Sequence, residues 1–222
     1  MTGPQLISFD LTGTLARIDG QSHVEHICAV SPLPPEQVRQ ILREQMHLKT
    51  LPSREALTPQ LIEQTCTALQ IPSDQLWFDT VPLAPWALLP GAAAAVAAAA
   101  AHAPAVLLTN ASVFSAPGVH AVRDELAPHL AAVHASWETG MEKPDPRAFR
   151  GAAAAHGVPV QHLLHIGDSW TEDIEPVLAL GGRAVWLNPH RQPAPDSVPP
   201  DRLLVATTAA EAVDLAGRHW FP

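Results

Sequence analysis

LISFDLTGTL, residues 6–15, is the stretch of this 222-residue sequence that decides its fold. Residues 6–9 form a short, mainly apolar run of the kind that builds a buried strand. The run ends at the acidic Asp10, and Gly13 permits a tight turn directly after it because glycine readily adopts positive φ. The stretch therefore predicts a buried strand that carries a carboxylate at its C-terminal end.

The same pattern recurs after residue 88. Strand-like runs alternate there with helix-like segments such as the alanine-rich residues 92–101. The runs lie at residues 105–108, 131–135, 162–166, 184–187 and 203–205. Because strands that alternate with helices form βαβ units, we predict an α/β fold with a parallel sheet.

The segment between residues 19 and 88 has a different pattern. Residues 35–48 and 59–69 have apolar side chains at helical spacing, and each stretch begins with a proline. No stretch of this segment alternates as a convincing strand. We therefore predict a small helical insert after the first strand.

Polar residues recur immediately after the strand-like runs. They are Asp10, Thr12, Thr109, Asn110, Lys143, Asp168 and Asp173. The carboxyl ends of parallel strands share one edge of a sheet, so these distant positions should converge. A carboxylate there can act as a nucleophile, and clustered carboxylates suit a hard cation such as Mg²⁺. A lysine and a hydroxyl beside them can stabilise a charged oxygen of the substrate.

Four of these segments together resemble the motifs of the haloacid dehalogenase (HAD) superfamily. Residues 9–15 are similar to the first motif, residues 107–110 to the second, Lys143-Pro144 to the third and residues 165–173 to the fourth. All four occur in the order of the family, and the resemblance extends from about residue 5 to residue 190. It implies a Rossmann-like, doubly wound core at 1–18 and 89–222, with the helical segment 19–88 as a cap.

The resemblance also implies roles for individual residues. Asp10 would be the nucleophile of a hydrolase that acts on a small phosphorylated metabolite through an aspartyl-phosphate. Mg²⁺ would be bound by Asp10, by the backbone carbonyl of Thr12 and by Asp168, with Asp173 nearby or acting through water. Thr109 and Asn110 would hold the transferring group, and Lys143 would steady it.

Thr12 departs from the pattern of the family's phosphatases. These enzymes usually carry an aspartate two residues after the nucleophile, which acts first as acid and then as base. A threonine hydroxyl cannot accept a proton near neutral pH, and losing a general acid-base typically costs about 10²–10⁴ in rate. The P-type ion pumps of the family also have threonine here, but this sequence has no apolar run long enough for a pump's membrane spans. We therefore expect slow turnover, with Asp19, His23 and His26 as the nearest replacement bases in sequence.

Other functions remain open at this stage. Lys49 is one of only two lysines in the chain, and it lies in the expected cap. Phosphonoacetaldehyde hydrolases of this superfamily use a cap lysine to form a Schiff base, although an exposed lysine without function is the simpler explanation of Lys49. A dehalogenase that attacks carbon and a weakly active binding or regulatory protein are the further alternatives.

The overall composition limits the partners. The net charge of −9 argues against nucleic acid or an anionic membrane as a partner and leaves a small phosphorylated molecule as the expected one. The first residues lack the basic and apolar regions of a signal peptide. With only two cysteines, Cys28 and Cys66, we expect reduced thiols and a cytoplasmic protein. The oligomeric state is left open.

Overall fold

A computed structural model describes residues 3–73, 84–194 and 200–221. Its strands are β1 (Leu6–Phe9), β2 (Ala16–Ile18), β3 (Trp86–Leu88), β4 (Ala105–Thr109), β5 (Ala132–Ala135), β6 (Leu163–Gly167), β7 (Arg183–Leu187) and β8 (Leu203–Ala206). Its helices are α1 (His23–Val30), α2 (Pro35–Glu44), α3 (Pro59–Leu69), α4 (Ala92–Ala100), α5 (Ala116–Leu126), α6 (Ser136–Thr139), α7 (Pro146–Ala155), α8 (Glu175–Ala179) and α9 (Ala209–Trp220). None of these helices combines the length and apolar character that crossing a membrane requires.

Six strands form one sheet in the order β5-β4-β1-β6-β7-β8, and all neighbours in it are parallel. The chain builds the sheet outward from β1 in one direction through β4 and β5, and then in the other through β6, β7 and β8. The strand order therefore reverses at β1, where open α/β sheets bind their ligands. This confirms the expected α/β, Rossmann-like fold.

Alternating residues of β1 face the two sides of the sheet. Ile7 and Phe9 belong to a core formed with α4, α5 and α9, whereas Leu6 packs against α7 and α8. All three side chains have at most 1% of their surface exposed. Burial on both faces explains why the sequence of this strand is almost continuously apolar.

The segment predicted to be a helical insert contains α1, α2 and α3, which share a core of their own. This core includes Ile27, Val38, Leu42 and Leu69, and Phe114 from the loop after β4 packs against it. Residues 74–83 of the predicted cap lie outside the described residues. The proposed domain boundaries at residues 19 and 88 stay a prediction.

Two details of this segment differ from the expectation. Helix α2 ends at Glu44, not Leu48, because His47 adopts a positive φ of 49° and the backbone amide of Leu48 turns back to the carbonyl of Leu42. The apolar spacing continues past the helix since Met46 and Leu48 are still buried. The expectation of no strand was wrong: Trp86–Leu88 pairs antiparallel with β2 in a separate two-stranded sheet. Three residues are too few to display an alternating pattern.

Candidate active site

A cleft of about 390 Å³ lies at the carboxyl edge of the sheet, between the core and the helical segment. Adjacent strands bring the polar residues there, because β1, β4 and β6 are neighbours and point in the same direction. The sequence-predicted residues that line the cleft are Asp10, Thr12, Asn110, Lys143, Asp168 and Asp173. Thr109 is different: it is buried at the end of β4, with 2% of its surface exposed, and does not line the cleft.

Lys143 joins two carboxylates at the bottom of the cleft. Its Nζ lies 2.6 Å from Oδ1 of Asp10 and 2.5 Å from Oδ1 of Asp173, and only 2% of its side chain is exposed. Burial by itself would lower the pKa of Lys143, but the two carboxylates raise it above its ordinary value. Burial opposes the charge of Asp173 as well, yet Lys143 holds the pKa of that carboxyl well below its usual range. Lys143 is therefore a permanent cation beside Asp10.

Asn110 clamps the loop that carries Lys143. Its Nδ2 donates to the backbone carbonyl of Lys143 at 2.7 Å, and its Oδ1 accepts from the backbone amide of Lys143 at 2.7 Å. The same Nδ2 lies 3.1 Å from Oε2 of Glu172. The side-chain amide is therefore occupied in positioning Lys143, and the expected contact of Asn110 with a transferring group stays a prediction.

A buried chain of hydrogen bonds links Asp173 through His165 to Ser8. Oγ of Ser8 lies 2.7 Å from Nδ1 of His165, and Nε2 of His165 lies 3.1 Å from Oδ1 of Asp173. The backbone amide of Ser169 donates to the other oxygen of Asp173 at 3.0 Å. Sequence reasoning assigned no role to Ser8 or His165. Each of these two residues is a polar residue inside an otherwise apolar strand, and that exception was visible in the sequence. The parallel register places Ser8 beside His165.

Asp10, Asp168 and Asp173 form a group that fits a divalent cation. One oxygen from each lies within 4.8 Å of the others. Although Asp168 opens onto the cleft, desolvation of its carboxyl together with the charges of Asp10 and Asp173 raises its pKa to about 7. Burial also raises the pKa of Asp10, and Lys143 offsets this only in part. A bound cation would relieve this repulsion, and an all-oxygen donor set is the one that Mg²⁺ prefers.

Two glycines allow these carboxylates to approach the backbone. A Cβ added to Gly13, whose φ is 87°, would lie 2.3 Å from Oδ2 of Asp168. A Cβ added to Gly167 would lie 2.5 Å from Cγ of Asp173. Neither distance is compatible with a side chain, so the compact carboxylate group depends on glycine at both positions.

Lys49 extends from the cap segment into the same cleft. Its Nζ donates to the backbone carbonyl of Asn110 at 2.9 Å, and its own carbonyl accepts from Oγ of Ser136 at 2.5 Å. Burial lowers the pKa of Lys49, while the carboxylate of Glu172 opposes that shift. Of the replacement bases suggested by the sequence, His23 lines the cleft, whereas His26 and Asp19 do not.

Comparisons with known proteins agree with this architecture. A family model described as haloacid dehalogenase-like hydrolase matches residues 4–181. A phosphoserine phosphatase from Thermus thermophilus is 38% identical over 76 residues, which are 34% of this chain and 30% of that relative's length. The matched segment thus spans less than a third of the curated relative.

Several solved structures share the fold. A 2-haloacid dehalogenase from Pseudomonas syringae has a TM-score of 0.65 and 21% identity, covering 98% of this chain and 99% of that one. A HAD phosphatase from Thermococcus onnurineus has a TM-score of 0.60 and 14% identity, covering 97% and 99%. A HAD-hydrolase from Bacillus subtilis bound to magnesium has a TM-score of 0.59 and 18% identity, also covering 97% and 99%.

Proposed function

We propose, given that this chain belongs to the haloacid dehalogenase-like hydrolases, that it is a magnesium-dependent phosphatase of a small phosphorylated metabolite. The observation that carries the proposal is the placement of Asp10. Its carboxylate lies at the end of the central strand, 2.6 Å from the Lys143 ammonium and grouped with Asp168. A carboxylate in this setting can attack phosphorus while neighbouring groups balance the charge.

In the first step, a carboxylate oxygen of Asp10 attacks the phosphorus while the bond from phosphorus to the ester oxygen breaks, and the departing oxygen takes its proton from water. Lys143 donates to Asp10, which orients the carboxylate and favours its ionised form, and the position of Lys143 is itself fixed by Asn110. Asp10 and Asp168, with the backbone carbonyl of Thr12, would hold Mg²⁺, which when bound polarises the phosphoryl oxygens. The product of this step is an aspartyl-phosphate on Asp10.

In the second step, water must attack that aspartyl-phosphate. Thr12 lines the cleft but cannot accept the proton of the water at neutral pH. We therefore expect this step to be slower by about 10²–10⁴, which corresponds to roughly 3–5 kcal/mol in the barrier. The phosphoenzyme should accumulate.

The test is rapid-quench kinetics with p-nitrophenyl phosphate, whose leaving group needs little protonation. We expect a burst of p-nitrophenol followed by slow turnover, both lost in EDTA and in Asp10→Asn. Thr12→Asp should speed the steady state, because it supplies the missing base. Fast turnover of the wild type without a burst would show that another group, such as His23, supplies the base. Absence of a phosphoenzyme with any ester would sink the proposal. O-phospho-L-serine is the first metabolite to assay, since the curated relative bears that name.

A second candidate function follows from Lys49. An amine inside the cleft, with a pKa lowered by burial, can attack an aldehyde and form a Schiff base, as phosphonoacetaldehyde hydrolysis requires. Borohydride reduction in the presence of phosphonoacetaldehyde would then attach the substrate to Lys49 and inactivate the enzyme. If borohydride attaches no substrate to Lys49 while p-nitrophenyl phosphate still gives a burst, the phosphatase remains the proposed function. A dehalogenase is less favoured, because carbon-centred displacement by Asp10 does not need a group of three carboxylates.

The expected partner is a small phosphorylated molecule. The net charge of −9 supports this proposal, since nucleic acid and anionic membranes would be repelled.

A further inference from the structure

Ser8 and His165 are buried polar side chains that the proposed mechanism does not use. They lie opposite each other in the parallel strands β1 and β6, and neither has any exposed surface. Oγ of Ser8 lies 2.7 Å from Nδ1 of His165. Replacing both partners of a buried hydrogen bond by apolar groups of the same shape can be nearly neutral, so the stability of the sheet does not by itself require these residues. We call them the Ser8–His165 pair.

The direction of each hydrogen bond in this pair follows from the charge of Asp173. Although burial opposes that charge, Lys143 holds the pKa of the Asp173 carboxyl well below its usual range, so the carboxylate can only accept. Nε2 of His165, which lies 3.1 Å from Oδ1 of Asp173, therefore carries a proton. Burial lowers the pKa of His165, which favours the neutral ring with Nδ1 as an acceptor. Ser8 then donates its hydroxyl proton to Nδ1, since its other acceptor, the carbonyl of Leu164, is 3.5 Å away.

The imidazole of His165 is held at both nitrogens and on one face. Ser8 donates to Nδ1, and Nε2 donates to Asp173. The ring of Phe149 packs against the imidazole in a T-shaped arrangement, with the ring centroids 5.3 Å apart. The imidazole cannot turn about its Cβ–Cγ bond without leaving a buried polar group unsatisfied. Its Nε2–H donor therefore keeps a fixed direction towards Asp173.

Asp173 connects this fixed donor to the nucleophile. Its Oδ1 accepts from Nε2 of His165 at 3.1 Å and from Nζ of Lys143 at 2.5 Å. Its Oδ2 accepts from the backbone amide of Ser169 at 3.0 Å. Nζ of Lys143 also donates to Oδ1 of Asp10 at 2.6 Å. The Lys143 ammonium thus lies between the nucleophile and a carboxylate that is fixed at both of its oxygens.

We propose that the Ser8–His165 pair positions the Lys143 ammonium against Asp10, acting through Asp173. Because neither residue is exposed, both are positioning residues that touch neither the substrate nor the reacting atoms. Such positioning has a large effect on rate, since a misplacement of about 1 Å in an active site can cost about 10²-fold. The proposal rests on the proposed function only in its kinetic test.

Two substitutions of His165 distinguish positioning from packing. The amide N–H of His165→Gln can occupy the position of Nε2 and still donate to Asp173, whereas the shorter amide of His165→Asn reaches only the position of Nδ1. Nuclear magnetic resonance of the lysine ammonium groups, recorded in EDTA, measures the effect without turnover. The chain has only two lysines, so Lys49→Met identifies the signal of Lys143. We expect this signal to shift or broaden in His165→Asn and to stay close to the wild-type signal in His165→Gln.

The burst with p-nitrophenyl phosphate measures the same displacement in the reaction. We expect the burst rate at saturating substrate to fall about tenfold or more in His165→Asn. His165→Gln should recover most of this loss, because it restores the donor to Asp173. His134→Asn is the matched control: it makes the same substitution at a half-buried histidine outside the cleft and should leave the burst rate unchanged.

The outcomes distinguish the inference from the proposed function. A Lys143 signal and a burst rate that both stay at wild-type values in His165→Asn overturn the inference. An equal loss in His165→Asn and His165→Gln also overturns it, because the loss would then come from the missing ring and not from the missing donor. If the Lys143 signal changes as expected while no ester forms a phosphoenzyme, the inference stands and only the phosphatase proposal fails.

Ser8 provides the same comparison if His165→Asn does not fold. Ser8→Ala removes the hydroxyl that holds Nδ1, and Ser8→Thr keeps it. We expect the Lys143 signal to move in Ser8→Ala and to stay in place in Ser8→Thr. An unchanged signal in Ser8→Ala, or equal changes in the two variants, would contradict the role of the Ser8–His165 pair.

Discussion

Lys143 offers the sharpest test of the electrostatics of the site. In Lys143→Met the side chain keeps most of its length but loses the ammonium that lies 2.6 Å from Asp10 and 2.5 Å from Asp173. Both carboxylates would remain in place, with only 10% and 2% of their side chains exposed. Removing one partner of a buried ion pair costs about 3–5 kcal/mol, because the other charge is left buried and unpaired.

Urea unfolding followed by circular dichroism, in EDTA, measures this cost directly. We expect the free energy of unfolding to fall by about 3–5 kcal/mol and the melting temperature by roughly 6–20 °C. Excess Mg²⁺ should restore more stability to the variant than it adds to the wild type, since a cation can take the place of the ammonium between the carboxylates. Asp173→Asn in the same background should recover part of the loss, since it removes one of the two unpaired charges.

Lys49→Met is the matched control. It also removes a lysine from the cleft, but the ammonium of Lys49 only donates to a backbone carbonyl, so the expected cost is about 1 kcal/mol. If Lys143→Met costs less than about 1 kcal/mol in EDTA, or no more than Lys49→Met, the ion pairs of Lys143 do not hold the site together and the reasoning is refuted.

Two further predictions concern positions away from that ion pair. Gly13→Ala should lose Mg²⁺-dependent activity and about 1–2 kcal/mol of stability, because the alanine Cβ would clash with Asp168 and residue 13 has a positive φ. An unchanged Mg²⁺ affinity in calorimetry would argue against this. Nε2 of His134 lies 3.3 Å from Nε2 of His156, and burial lowers the pKa of His134. His134 is therefore more protonated in the unfolded chain than in the folded protein. Its neutral form stabilises the fold fully above about pH 6.5, and that contribution is lost as the pH falls. His134→Asn should therefore lose less stability than the wild type between about pH 7.5 and 5.5; equal losses in urea unfolding would contradict it.

The sequence by itself determined the sheet and the edge at which the site lies. A strand buried on both faces must be apolar, so the runs that end at Asp10, Thr109 and Gly167 are visible without any knowledge of their neighbours. Because the strands are parallel, the polar residues that follow them had to meet at one edge. This is why Asp10, Asn110 and Asp168 could be grouped from their order in the chain.

Only the tertiary structure decided which groups act on one another within the site. Ser8 and His165 are 157 residues apart, and Lys49 and Asn110 are 61 apart. Hydrophobic periodicity records which face of each element is buried, but it carries no information on how two elements pack across such distances. The pairing of β2 with β3 and the clamp of Asn110 on Lys143 both depend on that packing. A local sequence pattern can therefore assign a residue to one face of a helix or strand, whereas the residue that it contacts depends on how the whole chain folds.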